Sequence, residues 1–557
     1  MEDAAAKLAL NQLGLVPSAS NHQVSVAASH DGAAAVRGRV AAKRCQSAVR
    51  SHGAAAAAVQ VALVGALSLA WMSQAVAQAA DAPSAKAAVL AALQDELIQT
   101  IAATERSVVA ITRYPQQRPR PGLAAQLNAI GPALADRQDP FADLRLIGSI
   151  AAIGHGAGVV IGPDLVLTQY QAIGVSDAHT ITTVEGQVLP AMVIGADPRS
   201  SLAVLRVEPE RGQRFELPAL PLGQAEKLRK GRFVIAIGNP FSIASDGQPT
   251  ASWGIIANTA RRAPAGEDLL ADDTEELDTP RTTLSHFGAL IQTDAQLGWN
   301  AAGGALVTFE GELVGILTTT SMIAGHEQPA GYAIPLNKPL RRTVQLLSEG
   351  KEPEYGLLGI RFGIDPRALT KDRGVTVSEV YGPGPAGRSG LLNGDIVTSV
   401  GGKPVTDAYS LQLAVAAFGP GEDVVVKYLR GPQQSQTTVR LGKAYVEGPK
   451  IVTSQRPQWQ GLRVDYPTAV PAATLSDRVL NGHLDPEGCV VVSEVEPGSV
   501  SWSLGVRPYV YISHVDGNRV STPDEFYQAV NAAPKTARLK FTKPLPSPAQ
   551  GPGLNGL

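Results

Sequence analysis

Histidine and cysteine, the residue types most used for acid–base, nucleophilic or metal chemistry, are few and widely spaced in this 557-residue chain. Nine histidines are scattered without HExxH or HxxxH spacing, and the only cysteines are Cys45 and Cys489. Neither a metal site nor a disulfide framework is expected, and no cofactor is implied. Asp197 stands in an ADP triplet and Asp294 in a QTD triplet, and both are read as turn-holding carboxylates rather than acids. Formal net charge is −2, with no dense Lys/Arg stripe interleaved with aromatics, so nucleic acid is not an expected partner.

Those residues must be positioned by more than one core. The length exceeds what one domain supports, and 56 Gly with 40 Pro favour β-rich, turn-rich domains over helical bundles. Residues 53–80 carry no charge, follow Arg37, Arg39, Lys43, Arg44 and Arg50, and end near Ala77-Gln78-Ala79. This is the pattern of a secretory signal cut after Ala79, and it also fits an uncleaved membrane anchor; either places the remainder outside the cytoplasm. Ala and Leu at helical spacing over 84–105 feed a β-branched run at 107–112, and 114–145 reads as a long surface loop. Strand-like runs follow at 158–161, 165–168, 179–184, 191–194, 202–207, 233–237, 252–256, 305–307 and 313–317, the pattern of a barrel or sandwich. The seven carboxylates of 266–279 mark a solvated insertion. A helix over 337–347 and a polar linker at 348–353 close this region.

Two C-terminal segments repeat one pattern about a hundred residues apart. The first runs GLLGI (356–360), GVTV (374–377) and GLLNGDIVTSVGGKPV (390–405). The second runs QGLRV (460–464), GCVVV (488–492) and GVRPYVYISHVDGNRV (505–520). Both resemble PDZ domains. The segment 108–335 resembles the HtrA/Deg protease domain in GAGVVIGPDLVLT, VIGADPRSSLAVLRVE, LPLGQAEKLRKGRFVIAIGNPF, IQTDAQLGWNAAGGALVTFEGELVGI and GYAIP. The resemblance covers about four-fifths of the chain in the family's order. It implies a mainly β protein, a chymotrypsin-like double β-barrel followed by two PDZ domains of α+β, partly open barrel type. The expected parts are a leader at 1–79, an N-terminal helix at 80–106, the protease-like domain at 107–349, PDZ domains at 354–445 and 456–545, and a disordered tail at 546–557.

In the family, LTNNHVV carries the general base, DLAVLK the carboxylate that orients it, and GNSGGPL the nucleophile. The same frames here read LTQYQAI (167–173), SLAVLR (201–206) and NAAGGAL (300–306), so Gln171, Ser201 and Ala302 hold the three triad-equivalent positions. Ala302 has no oxygen to attack with, Gln171 cannot take up a proton near neutral pH, and Ser201 cannot hold an imidazolium. Asn300 replaces the glycine that turns a backbone N–H toward the oxyanion. His155, His179, His286 and His326, with Ser285, Thr308 and Ser321, lie in the same region, but none falls in a family frame. The resemblance assigns peptide binding to Leu358, Gly359 and Ile360, with a helix near Ser410 and Leu411 as the other wall, and to Gly461, Leu462 and Val464 in the second repeat. Gln460, Arg463 and GVRPYVYISHV depart from the PDZ pattern, which favours the first repeat as the binder.

The expected function is that of a catalytically silent homologue that binds unfolded or C-terminal peptide segments in extracytoplasmic, periplasmic quality control. Its expected assembly is a homotrimer or a mixed oligomer with an active relative. The rivals are an endopeptidase using substitute residues and a structural envelope scaffold whose cleft is filled, with Trp299 and Tyr170 as the candidate plugs.

Overall fold

The computed structural model describes residues 85–114, 155–173, 178–209, 211, 214–239, 247–261, 284, 289–295, 301–318, 331–362 and 374–545. The leader, the loop at 114–145 beyond its first residue, the acidic insertion, Trp299, Asn300, Ser285, Ser321, His286, His326 and the tail lie outside them. The chain divides into two compact units after Ala87, and every described strand belongs to the second. Among the described residues no helix is long and apolar enough to cross a membrane. The segment 53–79 is not among them.

Helix Ala85–Thr104 ends where Thr104 turns its hydroxyl back to the carbonyl of Thr100 at 2.6 Å. Thr100 in turn donates to the carbonyl of Phe309, which fixes the helix end on the barrels. The β-branched run then enters β1 (Val108–Tyr114). Strands β2 (His155–Val160), β3 (Leu165–Gln169), β4 (Ala178–Thr182), β5 (Val188–Asp197) and β6 (Leu202–Val207) follow in the order β5-β4-β1-β2-β3-β6, and a β5–β6 pairing closes the ring. Strands β7 (Phe233–Gly238), β8 (Thr250–Arg261), β9 (Leu290–Thr293), β10 (Ala305–Thr308), β11 (Leu313–Thr318) and β12 (Gly331–Pro335) close a second barrel. Several strands outrun their apolar runs: β5 and β8 reach well past 191–194 and 252–256, because ladder pairing recruits polar residues that a hydrophobicity pattern leaves out.

Helix Lys338–Ser348 is capped by Asn337, whose side chain accepts from the N–H of Leu340 at 3.2 Å. Its buried Leu340, Thr343, Val344 and Leu347 recur at helical spacing and pack on the shared core. The stretch expected as a plain linker at 348–353 is docked instead: the N–H of Ser454 donates to the carbonyl of Gly350 at 2.8 Å, and Glu352 is drawn into an ion-pair cluster.

The first repeat comprises β13 (Gly356–Leu357), β14 (Ile360–Phe362), β15 (Val375–Val380), β16 (Ile396–Val400), β17 (Lys403–Pro404), β18 (Asp423–Arg430), β19 (Gln433–Arg440) and β20 (Gly442–Lys443) with helices Pro385–Arg388 and Ala408–Ala416. The longer helix begins in a reciprocal capping box between Asp407 and Ser410. The short β21 (Ile451–Val452) leaves the repeats and pairs with β5 of the first barrel. The second repeat holds β22 (Leu462–Asp465), β23 (Val490–Val495), β24 (Tyr511–Val515), β25 (Asn518–Arg519) and β26 (Leu539–Phe541) with helices Ala472–Leu480, Val500–Ser503 and Pro523–Ala532.

One buried lysine joins the parts. Lys443 is only 3% exposed, and its ammonium meets Asp465 at 2.7 Å, Glu352 at 3.0 Å and Glu354 at 3.2 Å. Lys450 and Arg456 balance Glu352 and Glu354 from outside. The barrel-to-repeat connection, the last strand of the first repeat and the first strand of the second are thereby pinned at one point.

Candidate functional site

Gln171, Ser201 and Ala302, the positions expected to match a triad, lie on adjoining elements of the two barrels. Gln171 sits exposed in the single 3-10 turn Tyr170–Ala172 after β3. Ser201, buried and held at φ 60°, immediately precedes β6, and its carbonyl accepts the N–H of Tyr170 at 2.8 Å. Ala302 precedes β10, its carbonyl accepting from Ala157 at 2.9 Å. Gly156 lies where the elements meet: a Cβ there would stand 2.8 Å from that of Ala172 and 3.5 Å from the oxygen of Ala302. Gly303, at φ 87°, packs so closely that a side chain would fall 2.1 Å from the carbonyl of Ala157. Gln169 ties β3 to β11 through Thr318 at 2.8 Å. The frame of a two-barrel cleft is thus built around a methyl, an amide and a hydroxyl.

Asp197 holds its turn, whereas Asp294 ties the end of β9 to β8. Asp197 accepts from the backbone of Ser200 at 2.9 Å and Arg199 at 3.3 Å, and Asp294 accepts from Ile255 at 2.6 Å. Asp197 also takes the hydroxyl of Tyr355 at 2.5 Å, across 158 residues. Burial, and then the charge and hydrogen bond of Asp197, push the Tyr355 phenol well above its ordinary range. Tyr170, one candidate plug of the cleft, turns instead to the carbonyl of Pro449 at 2.8 Å, in the segment between the repeats. Of the barrel histidines with described side chains, His179 lies buried on β4. Among the described residues no group of three His, Cys, Asp or Glu could hold a metal ion. Cys489 is buried, and its surroundings push the thiol up to about 11, chiefly by desolvation, so it stays protonated near neutral pH.

Leu358, Gly359 and Ile360 border a cavity of about 540 Å³. Its other wall carries Leu411, Gln412 and Val415 of helix Ala408–Ala416. Gly359 adopts φ 78°, the carbonyl of Leu358 accepts from Ala386, and that of Gly359 accepts from Tyr381, so the loop is anchored by its oxygens. The sequence pattern does not reveal the third side of this cavity. It is formed by residues 444–447, by Val470 and Leu475 around helix Ala472–Leu480, and by Arg199 from the loop before Ser201. Pro471 ahead of a run of helix formers is the one signal for that helix; the other contributions have none.

Gly461, Leu462 and Val464 occupy the corresponding place in the second repeat, with different surroundings. Gly461 sits at φ 83°, against Ser499. Leu462 is buried and exchanges both backbone hydrogen bonds with Trp459, at 2.9 and 3.0 Å. The N–H of Val464 donates to the hydroxyl of Tyr527 at 3.2 Å. Trp459, Phe526 and Tyr527 form two edge-to-face pairs with centroids 6.3 and 5.4 Å apart. Side chains of the repeat itself occupy the space that stays open in the first.

The sequence pattern described as Trypsin-like peptidase domain matches residues 156–316, and that described as PDZ domain matches 356–441. The chain is 29% identical over 398 residues to the probable periplasmic serine endoprotease DegP-like of Ectopseudomonas mendocina, covering 69% of this chain and 76% of that protein. It is 29% identical over 401 residues to the periplasmic pH-dependent serine endoprotease DegQ of Escherichia coli, covering 70% and 78%. A solved structure of the HtrA-type protease AlgW with decapeptide is 26% identical at a TM-score of 0.43, covering 63% of this chain and 99% of that one.

Proposed function

Because this chain is an HtrA/Deg family protein with a trypsin-like domain and a PDZ domain, we propose that it is a non-cutting member that binds unfolded or C-terminal peptide segments outside the cytoplasm. The observation that carries the reading is Ala302: a methyl stands at the nucleophile position of an otherwise family-like frame. Loss of a triad typically costs about 10⁶ in turnover. Gln171 beside it offers no proton acceptor, and the hydroxyl of Ser201 brings no charge to the third corner. Peptide capture falls to the first repeat, where Leu358, Gly359 and Ile360 face an unfilled apolar cavity. Gly461, Leu462 and Val464, packed against Trp459 and Tyr527, belong to a supporting module. The periplasmic relatives favour an extracytoplasmic setting, whether the segment 53–79 is cut or kept as an anchor. Assembly as a homotrimer or with an active relative is favoured by half-exposed Phe233 and Trp253 on the second barrel, where the Phe233 ring stacks on Phe309 and lies tilted against Trp253.

Digestion of unfolded casein tests the catalytic half. The natural chain leaves the substrate intact, and an Ala302→Ser, Gln171→His, Ser201→Asp variant gains cleavage. Cleavage by the natural chain that survives repurification overturns the reading. Sedimentation of the purified protein tests the assembly, with a monomer at micromolar concentration counting against it.

A further inference from the structure

Most of the cavity beside Leu358–Ile360 is apolar, yet it holds one partly buried cation that makes no ion pair among the described residues. Arg199 lines it from the barrel side, with its Cζ 5.2 Å from the Tyr355 ring centroid. Its Nε is sealed from solvent and has no hydrogen-bond partner. The obvious counter-ion is already engaged: Asp197 accepts from Ser200, from the backbone of Arg199 and from Tyr355, and no side-chain ion pair to Arg199 forms among the described residues. Glu447, the other charged residue of the lining, is exposed. A guanidinium that has given up part of its hydration to a tyrosine ring, with no ion pair to replace it, gains when a ligand supplies a charged acceptor.

We propose that this three-walled cavity selects apolar peptide ends that carry an acidic side chain at one of the last two positions, with Arg199 as the anchor for that carboxylate. The inference rests on the peptide-binding reading of the first repeat and adds to it. The loop at Leu358–Ile360 faces the chain terminus, whereas Arg199 reaches the same space from another domain and answers a second negative group. Val470 and Leu475 bound the cavity on the side of the second repeat, so a ligand is held on three sides rather than two.

Labelled decapeptides with apolar ends, in twin pairs that differ by Glu or Gln at the last or the second-to-last position, are titrated against the full-length protein by fluorescence anisotropy. At least one acidic twin binds about tenfold tighter than its amide partner, the order expected of a charge-assisted hydrogen bond. Arg199→Met erases that difference by weakening the acidic twin alone, and Arg199→Lys keeps most of it. Leu411→Asp abolishes binding of every peptide. Equal affinity of both twins, or an Arg199→Met variant that weakens both alike, overturns the role of Arg199 while leaving the groove standing. No binding of any peptide to the natural protein overturns the groove reading, and this proposal with it.

Discussion

Gln412 in the first repeat and Tyr527 in the second stand one residue past Leu411 and Phe526 on equivalent helices, and that difference separates an open groove from a closed one. The backbones correspond closely. The carbonyls of Gly359 and Gly461 accept from Tyr381 and Glu496, and the ladders of β14 and β22 slip at the same place, between Arg361 and Phe362 and between Arg463 and Val464. With Gln412 the space beside Ile360 stays open; with Tyr527 the ring crosses it and satisfies the N–H of Val464. An edge strand left with an unpaired N–H is a template for a ligand strand, and one served by its own helix is not. Duplication of the fold therefore does not duplicate its groove.

The largest expected effect comes from the joint that holds the two repeats in register. Lys443→Met removes the cation from among Glu352, Glu354 and Asp465, leaving Asp465 without an ion pair and Glu352 and Glu354 to Lys450 and Arg456 alone, a change that costs about 3–5 kcal/mol. Urea denaturation of the full chain, followed by tryptophan fluorescence, should show the midpoint falling. The same joint responds to acid. Burial opposes the charge of Glu352, but Lys443 and Lys450 outweigh it and hold the carboxyl below its usual 4.5. A depressed folded-state value means stability that is complete above about pH 4.5 and is lost as pH falls through the folded value. Lys443 is shifted the opposite way: burial lowers it, and Asp465, Glu352 and Glu354 raise it past the ordinary 10.5, so its contribution fails only in strong alkali. Protease nicking within 444–456 should therefore quicken in acid and stay flat from neutral to mildly alkaline pH.

Closure of the second groove can be broken by one atom. Tyr527→Phe deletes the hydroxyl that receives the N–H of Val464, leaving a buried donor unsatisfied at a cost of about 1–3 kcal/mol. Gln412→Phe in the first repeat, a surface-side substitution at the matching position, should leave stability within about 0.5 kcal/mol and lower peptide affinity by filling the cavity. If Tyr527→Phe is silent in denaturation while amide exchange at Val464 is unchanged, the self-satisfied groove is not what distinguishes the repeats.

Much of this was legible in the residues. β-branched runs marked the barrel strands, and the frames around Gln171, Ser201 and Ala302 placed those positions on neighbouring elements because a closed barrel brings strand ends together. The contacts that complete the cavity were not legible. Tyr355 meets Asp197 across 158 residues and Thr453 meets Ile194 across 259, and neither separation leaves a local period to read. Arg199 resembles any surface arginine until the fold places a tyrosine ring beneath it, and Lys443, in a short polar strand, gives no sign that three acids from two other segments surround it. The polar run at 348–353 misled for the same reason: charge patterns predict solvation, and here the charges find each other.

The smallest effect tests whether the two turns are truly the same device. Gly394, at φ 87°, donates to the carbonyl of Val377, and Tyr509, at φ 68°, donates to that of Val492, both at 2.8 Å. The first repeat adds Asp395, which accepts from Leu392 and takes two bonds from Arg430; the second has Val510 there and no such pair. A Cβ at Gly394 would meet nothing within 4 Å, so Gly394→Ala isolates the backbone term and should cost about 1 kcal/mol. Tyr509→Gly should regain a similar amount from relief of the left-handed strain, less what its partly buried ring contributes to packing. Opposite signs in paired denaturation curves would establish that the second repeat keeps the turn of the first while carrying its strain without the acidic brace; a destabilised Tyr509→Gly would mean that the ring, rather than the backbone, holds that turn.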